Sequence, residues 1–182
     1  LHSEGIDAEA IDKAAIDYGM PVGPLELADS IGLDILLDVA EILSDTVNRV
    51  IPSSVKQLVD AGKLGRKSGC GFYNWMDGKP VHRKDVKKLY DQQVQDRLIL
   101  AILNQSVACL NDKVVADDDL VDAGTIFGAG FAPFRGGPLR YLHVSGVEKL
   151  YGMLLELEIS LGKRFTPSVG WKKLMKNSLP KS

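Results

Sequence analysis

Three histidines, two cysteines and one run of three aspartates are the groups in this 182-residue chain whose types invite a chemical role. His2, His82 and His143 are scattered: His82 sits beside Arg83 and Lys84 in a polar segment and reads as solvated, and His143 reads as a surface or packed histidine. Cys70 and Cys109 lie far apart with no Cys-x-x-Cys or histidine-ligand spacing, which argues against zinc and fits a reducing compartment. Asp117-Asp118-Asp119 reads as a helix cap, because three adjacent carboxylates cannot all face one cation. With no nucleophile beside a base, no ligand set and no paired carboxylates, the sequence carries no catalytic residue and no metal site of its own. It reads as half of a site.

Two glycine-rich stretches invite a phosphate-binding reading and fail it. Gly62-Lys63-Leu64-Gly65-Arg66-Lys67-Ser68 misses the spacing of a phosphate loop and follows a helix where a strand is required. Gly128-Ala129-Gly130 lacks a third glycine and a preceding strand, so no nicotinamide site is encoded here.

The elements that must position any site repeat. Gly23-Pro24-Leu25 and Gly137-Pro138-Leu139 are each followed, nine residues after the Gly, by another glycine (Gly32 and Gly146). Asp12 pairs with Asp122 and Ile16 with Ile126 at an offset of 110, while Gly23 pairs with Gly137 at an offset of 114. The four extra residues of the second copy fall within residues 128–136, a stretch too rich in Gly and Pro to continue a helix.

Asp7 opens a helix through Tyr18; Pro24 opens a short one to Ser30; a longer one follows Gly32; and Ser53 or Ser54 caps Val55 to Ala61. Val94, Leu98, Ile102, Ser106 and Leu110 mark one face of the longest helix, expected to be buried on more than one side. The aromatic run Phe72-Tyr73-Asn74-Trp75 before Asp77-Gly78 predicts a short extended segment at the join between the copies.

Composition narrows the class. With 22 Lys+Arg against 24 Asp+Glu no global field suggests nucleic acid or an anionic membrane, and the lysines of Trp171-Lys172-Lys173-Leu174-Met175-Lys176 read as a solvated helix face. No window is long and apolar enough for a membrane span, and no signal peptide is evident, so a soluble protein is expected. The chain begins at Leu1 on what reads as the end of an earlier element, which predicts a piece of something longer.

Asp12-Lys13-Ala14 through Gly19-Met20-Pro21-Val22-Gly23-Pro24-Leu25-Glu26-Leu27-Ala28-Asp29, then Gly32-Leu33-Asp34 and Gly65-Arg66-Lys67-Ser68-Gly69-Cys70-Gly71-Phe72-Tyr73, resemble the C-terminal helical domain of L-3-hydroxyacyl-CoA dehydrogenases. A second, degenerate copy ending in Phe131-Ala132-Pro133-Phe134-Arg135-Gly136-Gly137 resembles the multifunctional alpha subunit of the fatty-acid β-oxidation complex.

The resemblance implies an all-α fold of two tandem related helical units, of the kind seen at the C-terminus of 6-phosphogluconate dehydrogenase, with no Rossmann domain in this chain. Residues 1–80 would be the first repeat, its opening helix truncated, and 81–182 the second. It implies a parent in which an enoyl-CoA hydratase domain and an NAD-binding Rossmann domain precede these residues and supply the His-Glu base, NAD and a substrate-placing Asn. Asp96-Arg97 matches the family's Asn-Arg in the second copy, and its counterpart in the first falls before Leu1.

By the same resemblance Met20, Pro21, Gly23 and Pro24 line the acyl-CoA cleft, although the turn reads equally as a tight structural corner. Phe127 stands where multifunctional subunits carry a substrate-contacting Tyr, and it also reads as core. The implied partners are acyl-CoA, the hydratase and Rossmann domains, a thiolase beta subunit and a second copy of the chain, in a bacterial cytoplasm. A second reading takes the chain as an assembly module with an apolar groove open beside Ile11, Leu36 and Leu37.

Overall fold

The computed structural model describes residues 1–47, 53–82 and 92–178. Among them the regular structure is helical apart from one pair of two-residue strands, as the periodicity and the resemblance predict. It divides into two compact units, Leu1–Tyr18 with Val22–Val94 and Gly19–Pro21 with Gln95–Ser182.

In the first unit, α1 (Ala8–Tyr18) buries Ala10, Ile11, Ala14, Ala15 and Tyr18 on one stripe. The three alanines keep that stripe shallow, so the next helix can approach closely. Pro24 occupies the first position of α2 (Pro24–Ile31), where its missing N–H costs nothing and its fixed φ suits the helix. Gly32, at φ 110°, turns the chain at once into α3 (Leu33–Val47), whose Leu33 is fully buried. α4 spans Ser53–Asp60, so both serines lie inside the helix, which the N-cap reading had placed at its border.

The glycine-rich stretch after α4 is no linker. It forms a single 3-10 turn, Arg66–Ser68, and then the antiparallel pair β1 (Trp75–Met76) and β2 (Lys79–Pro80) around Asp77-Gly78. The whole stretch belongs to the first unit. Both Asp77 and Gly78 have positive φ, the two-residue hairpin geometry that the Asp-Gly pair favours.

α5 (Gln92–Asn111), which enters the second unit at Gln95, runs longest among the described helices. Its buried residues are Val94, Arg97, Ile99, Leu100, Leu103, Ser106 and Val107. That differs from the row of every fourth residue read from sequence, because four residues overshoot a 3.6-residue turn and a stripe facing a neighbour must mix steps of three and four. Leu98, Ile102 and Leu110 are only half-buried.

α6 (Asp118–Ala129), α7 (Pro138–Ser145) and α8 (Val147–Leu161) follow, then α9 (Gly170–Ser178). Asp117 caps α6 as expected, its carboxylate accepting from the Leu120 amide at 2.9 Å. α6 continues through Gly128 and Ala129, however, and ends at Gly130, whose left-handed backbone closes the helix. Gly128 inside the helix is tolerated at the cost of entropy alone, so the loop peculiar to the second copy is shorter than its glycine content suggests. Trp171, fully buried, donates its indole N–H to Asn104 Oδ1 at 2.9 Å, which anchors α9 beside α5.

Candidate functional site

The two Gly-Pro-Leu corners are built by one device. Asp12, on the buried face of α1, accepts from the amides of Leu25 (2.7 Å) and Glu26 (2.8 Å) at the start of α2. Asp122, at the matching place on α6, accepts from Leu139 (2.7 Å) and Arg140 (3.0 Å) at the start of α7. Each carboxylate thereby satisfies two orphan donors of a helix N-terminus whose own N-cap, a glycine, has no side chain to do so. A Cβ on Gly23 would sit 2.1 Å from Asp12 Cγ, and one on Gly137 would sit 2.3 Å from Asp122 Cγ. Glycine is required at both because the carboxylate occupies that space.

Burial pushes both carboxyls above the ordinary value of 3.8, more strongly than the amides draw them down. Asp118 and Asp119 add a like-charge push at Asp122. The Tyr73 hydroxyl donates to Asp12 Oδ2 at 2.8 Å, and burial and the neighbouring carboxylate push that phenol well above its usual range. Asp12 thus spends its oxygens on two amides and a phenol. Its arrangement is that of a fastening, not of an exposed general base.

A second fastening had no counterpart in the sequence reading. Asp29, 1% exposed on α2, accepts from the amides of Phe72 (2.9 Å) and Tyr73 (2.9 Å) and from the Trp75 indole (3.0 Å). Gly71 and Gly65 let the segment close on it: added Cβ atoms would lie 2.2 Å from Asp29 Oδ1 and 2.3 Å from its carbonyl oxygen. A carboxylate beside Ala28 on an otherwise apolar face must find donors, and a glycine-rich aromatic run is where unpaired amides are available. That was the signal. At the matching position the second copy has His143, exposed and 3.4 Å from Asp118.

The residues expected to line a cleft fall as follows. Gly23 is buried against Asp12 and Pro24 half-buried, both in the first unit, so the structural-corner reading of this pair rests on direct contacts. Met20 is half-buried and Pro21 exposed, and both are grouped with the second unit. Phe127 is 90% exposed and is not core. It lines an open groove of about 470 Å³ with Asp119, Asp122, Ile126 and Arg140. It stands three residues before Gly130, the C-cap of α6.

Residues 1–75 match the family described as 3-hydroxyacyl-CoA dehydrogenase, C-terminal domain. The family segment takes in α1 to the start of β1, and so both the Asp12 and the Asp29 fastenings. Beyond it, the similarity continues along the chain. The fatty acid oxidation complex subunit alpha of Shewanella sp. (strain ANA-3) is 33% identical over 183 aligned positions, covering 90% of this chain and 26% of that protein. The subunit of the same name from Vibrio vulnificus (strain CMCP6) is 36% identical, covering 93% and 25%. The chain therefore spans about a quarter of the length of the curated relatives it matches. Among solved structures, 3-hydroxybutyryl-CoA dehydrogenase from Escherichia coli K12 shares the fold with a TM-score of 0.79 at 18% identity, over 97% of this chain and 56% of that one. The dehydrogenase part of multifunctional enzyme 1 from C. elegans does so at 0.60 and 16% identity.

NAD is the cofactor the family implies, and the residues present do not fit it. The Gly128-Ala129-Gly130 stretch lies within and at the end of α6, and the amides of Gly130 and Phe131 are both spent on Thr125 O. The strands among the described residues are two residues long, too short for a strand-to-helix dinucleotide crossover. No helix among the described residues is long and apolar enough to cross a membrane.

Proposed function

We propose that this chain is the substrate-side helical part of an NAD-dependent 3-hydroxyacyl-CoA dehydrogenase of fatty-acid β-oxidation, and that it forms one wall of the acyl-CoA cleft. Residues 1–80 and 81–182 are its two repeats. Met20, Pro21, Gly23, Pro24 and, in the second repeat, Phe127 are the residues that face the acyl-CoA. The hydride transfer, its base and its NAD belong to a Rossmann domain of the parent, fused with an enoyl-CoA hydratase domain and working beside a thiolase beta subunit in the bacterial cytoplasm. The observation that carries the reading is the similarity to fatty acid oxidation complex alpha subunits along 90% of the chain. The paired carboxylate-capped corners support the two-repeat part of it: 11-, 8- and 15-residue helices α1 to α3 are mirrored by 12-, 8- and 15-residue helices α6 to α8.

The purified chain is inactive alone. Incubated with NAD and 3-hydroxybutyryl-CoA it forms no NADH; measurable NADH formation refutes the assignment of the redox chemistry elsewhere.

An exposed apolar row favours a second role in assembly. Leu27, Ile31, Ile35, Val39 and Ile42 on α2 and α3 are 40%, 45%, 47%, 46% and 74% exposed. At the offset of 114 the second copy has Tyr141, Ser145, Lys149, Met153 and Glu156, mostly polar. The groove expected beside Ile11, Leu36 and Leu37 is closed at Ile11, which is 2% exposed, while Leu36 and Leu37 are half-buried. Exposed apolar residues at this spacing fit a homodimer or domain-docking surface. Sedimentation at high micromolar concentration tests it: association supports the role, and a clean monomer contradicts it.

A further inference from the structure

The turn at Arg66–Ser68 presents a cationic spot on an acidic body. Residues 1–82 carry 7 Lys+Arg against 13 Asp+Glu, yet three of those seven cations, Lys63, Arg66 and Lys67, fall within five positions. All three are exposed. Lys63 precedes the turn that carries Arg66 and Lys67, and that turn is closely hydrogen-bonded. Ser68 Oγ accepts from the Leu64 amide at 2.7 Å and lies 2.9 Å from the Cys70 carbonyl, the Gly65 amide donates to that same carbonyl at 2.9 Å, and Gly65 is packed on Asp29. Lys67 is engaged by Asp34, while no carboxylate pairs with Lys63 or Arg66 among the described residues. The Arg66 guanidinium stands 6.0 Å from the centre of the half-buried Trp75 ring.

Like charges gathered on a fixed turn repel one another, and that cost is offset when an anion binds. A guanidinium suits phosphate oxygens, and an indole face suits a purine ring. The turn's amides are largely spent internally, so recognition falls to the side chains, unlike a phosphate loop. We infer that Lys63, Arg66 and Trp75 form a site for the phosphorylated adenosine end of the CoA thioester, Arg66 and Lys63 holding phosphate oxygens and Trp75 stacking on the base. The inference rests on the acyl-CoA reading above, and names the part of that ligand held by this turn.

Calorimetric titration of the chain with adenosine 3′,5′-bisphosphate tests it, with Trp75 indole N–H shifts followed by NMR. Binding is expected to weaken by about tenfold or more in Arg66→Glu and in Lys63→Glu, the loss of one charge-assisted contact. It is expected to weaken with added salt and to be unchanged in Lys172→Glu on α9. Arg66→Gln, which removes charge without reversing it, serves if the reversal perturbs folding. No binding at millimolar bisphosphate, or equal binding by Arg66→Glu, overturns the site. Inorganic phosphate binding as well as the bisphosphate overturns the role of Trp75, and NAD binding as tightly as CoA overturns the choice of CoA. If acyl-CoA protects Met20–Leu25 from hydrogen exchange while the bisphosphate fails to bind, this site falls and the cleft wall stands; the reverse pattern separates them the other way.

Discussion

Removing the Asp29 carboxylate should loosen the first unit far more than its place on a short helix suggests. In Asp29→Ala the amides of Phe72 and Tyr73 and the Trp75 indole lose their acceptor together. A hydrogen bond to a charged group contributes about 1.5–3 kcal/mol net. Three such bonds set an upper bound, and the loss is smaller because Phe72 and Trp75 are half-buried and water reaches their donors in the variant. Tyr73 N, in a buried contact, carries the full penalty. The expected destabilisation is about 3–5 kcal/mol, a large share of the 5–15 kcal/mol typical of a domain. Urea unfolding followed by circular dichroism measures it, with the Trp75 indole N–H resonance reporting the segment itself. His143→Ala is the control, since this residue holds the equivalent position in the second copy but makes only an exposed contact with Asp118; it should cost less than about 0.5 kcal/mol. Equal effects of the two substitutions, or an Asp29→Ala loss under about 1 kcal/mol, would refute the reasoning.

Gly65→Ala should destabilise by about 2–4 kcal/mol, since its positive φ strains an L residue and the new methyl meets the Asp29 backbone, whereas Gly78→Ala, with open space around it, should cost about 1 kcal/mol in the same unfolding assay. Because the folded-state carboxyls of Asp12 and Asp122 lie above 3.8, the native state holds their protons more tightly than the unfolded chain does. Their contribution is full below 3.8 and is lost as pH rises through the raised folded values, so Asp122→Asn should flatten the fall of urea stability over that window; an unchanged slope contradicts the burial argument. Phe127→Ala should leave stability within about 0.5 kcal/mol of the parent chain, because a side chain 90% exposed loses no core packing.

Much of this was written in local chemistry. The two Gly-Pro-Leu corners, the glycine breaks after them and the Asp117 cap are set by residues within one turn of the element they define, and the structure places them where the pattern puts them. The Asp12 and Asp122 repeat was visible as a spacing, but its meaning was not. The amides each carboxylate caps lie 13 and 17 residues away, and no periodicity reports a contact across that distance. Asp29 was hidden for the same reason, its donors being 43 to 46 residues on. The errors at α5 and α6 have a different origin. A strict row of every fourth residue misjudged the face of α5, and a glycine taken as a helix breaker in fact lies within α6, which ends only where Gly130 adopts the left-handed conformation.

Hydrogen exchange of the Met20–Leu25 segment, measured with and without saturating 3-ketoacyl-CoA, addresses the proposed role of the chain most directly. Slowed exchange there, with α9 unaffected, is the expected result. Exchange at Met20–Leu25 that stays the same at every ligand concentration contradicts a cleft wall at this corner.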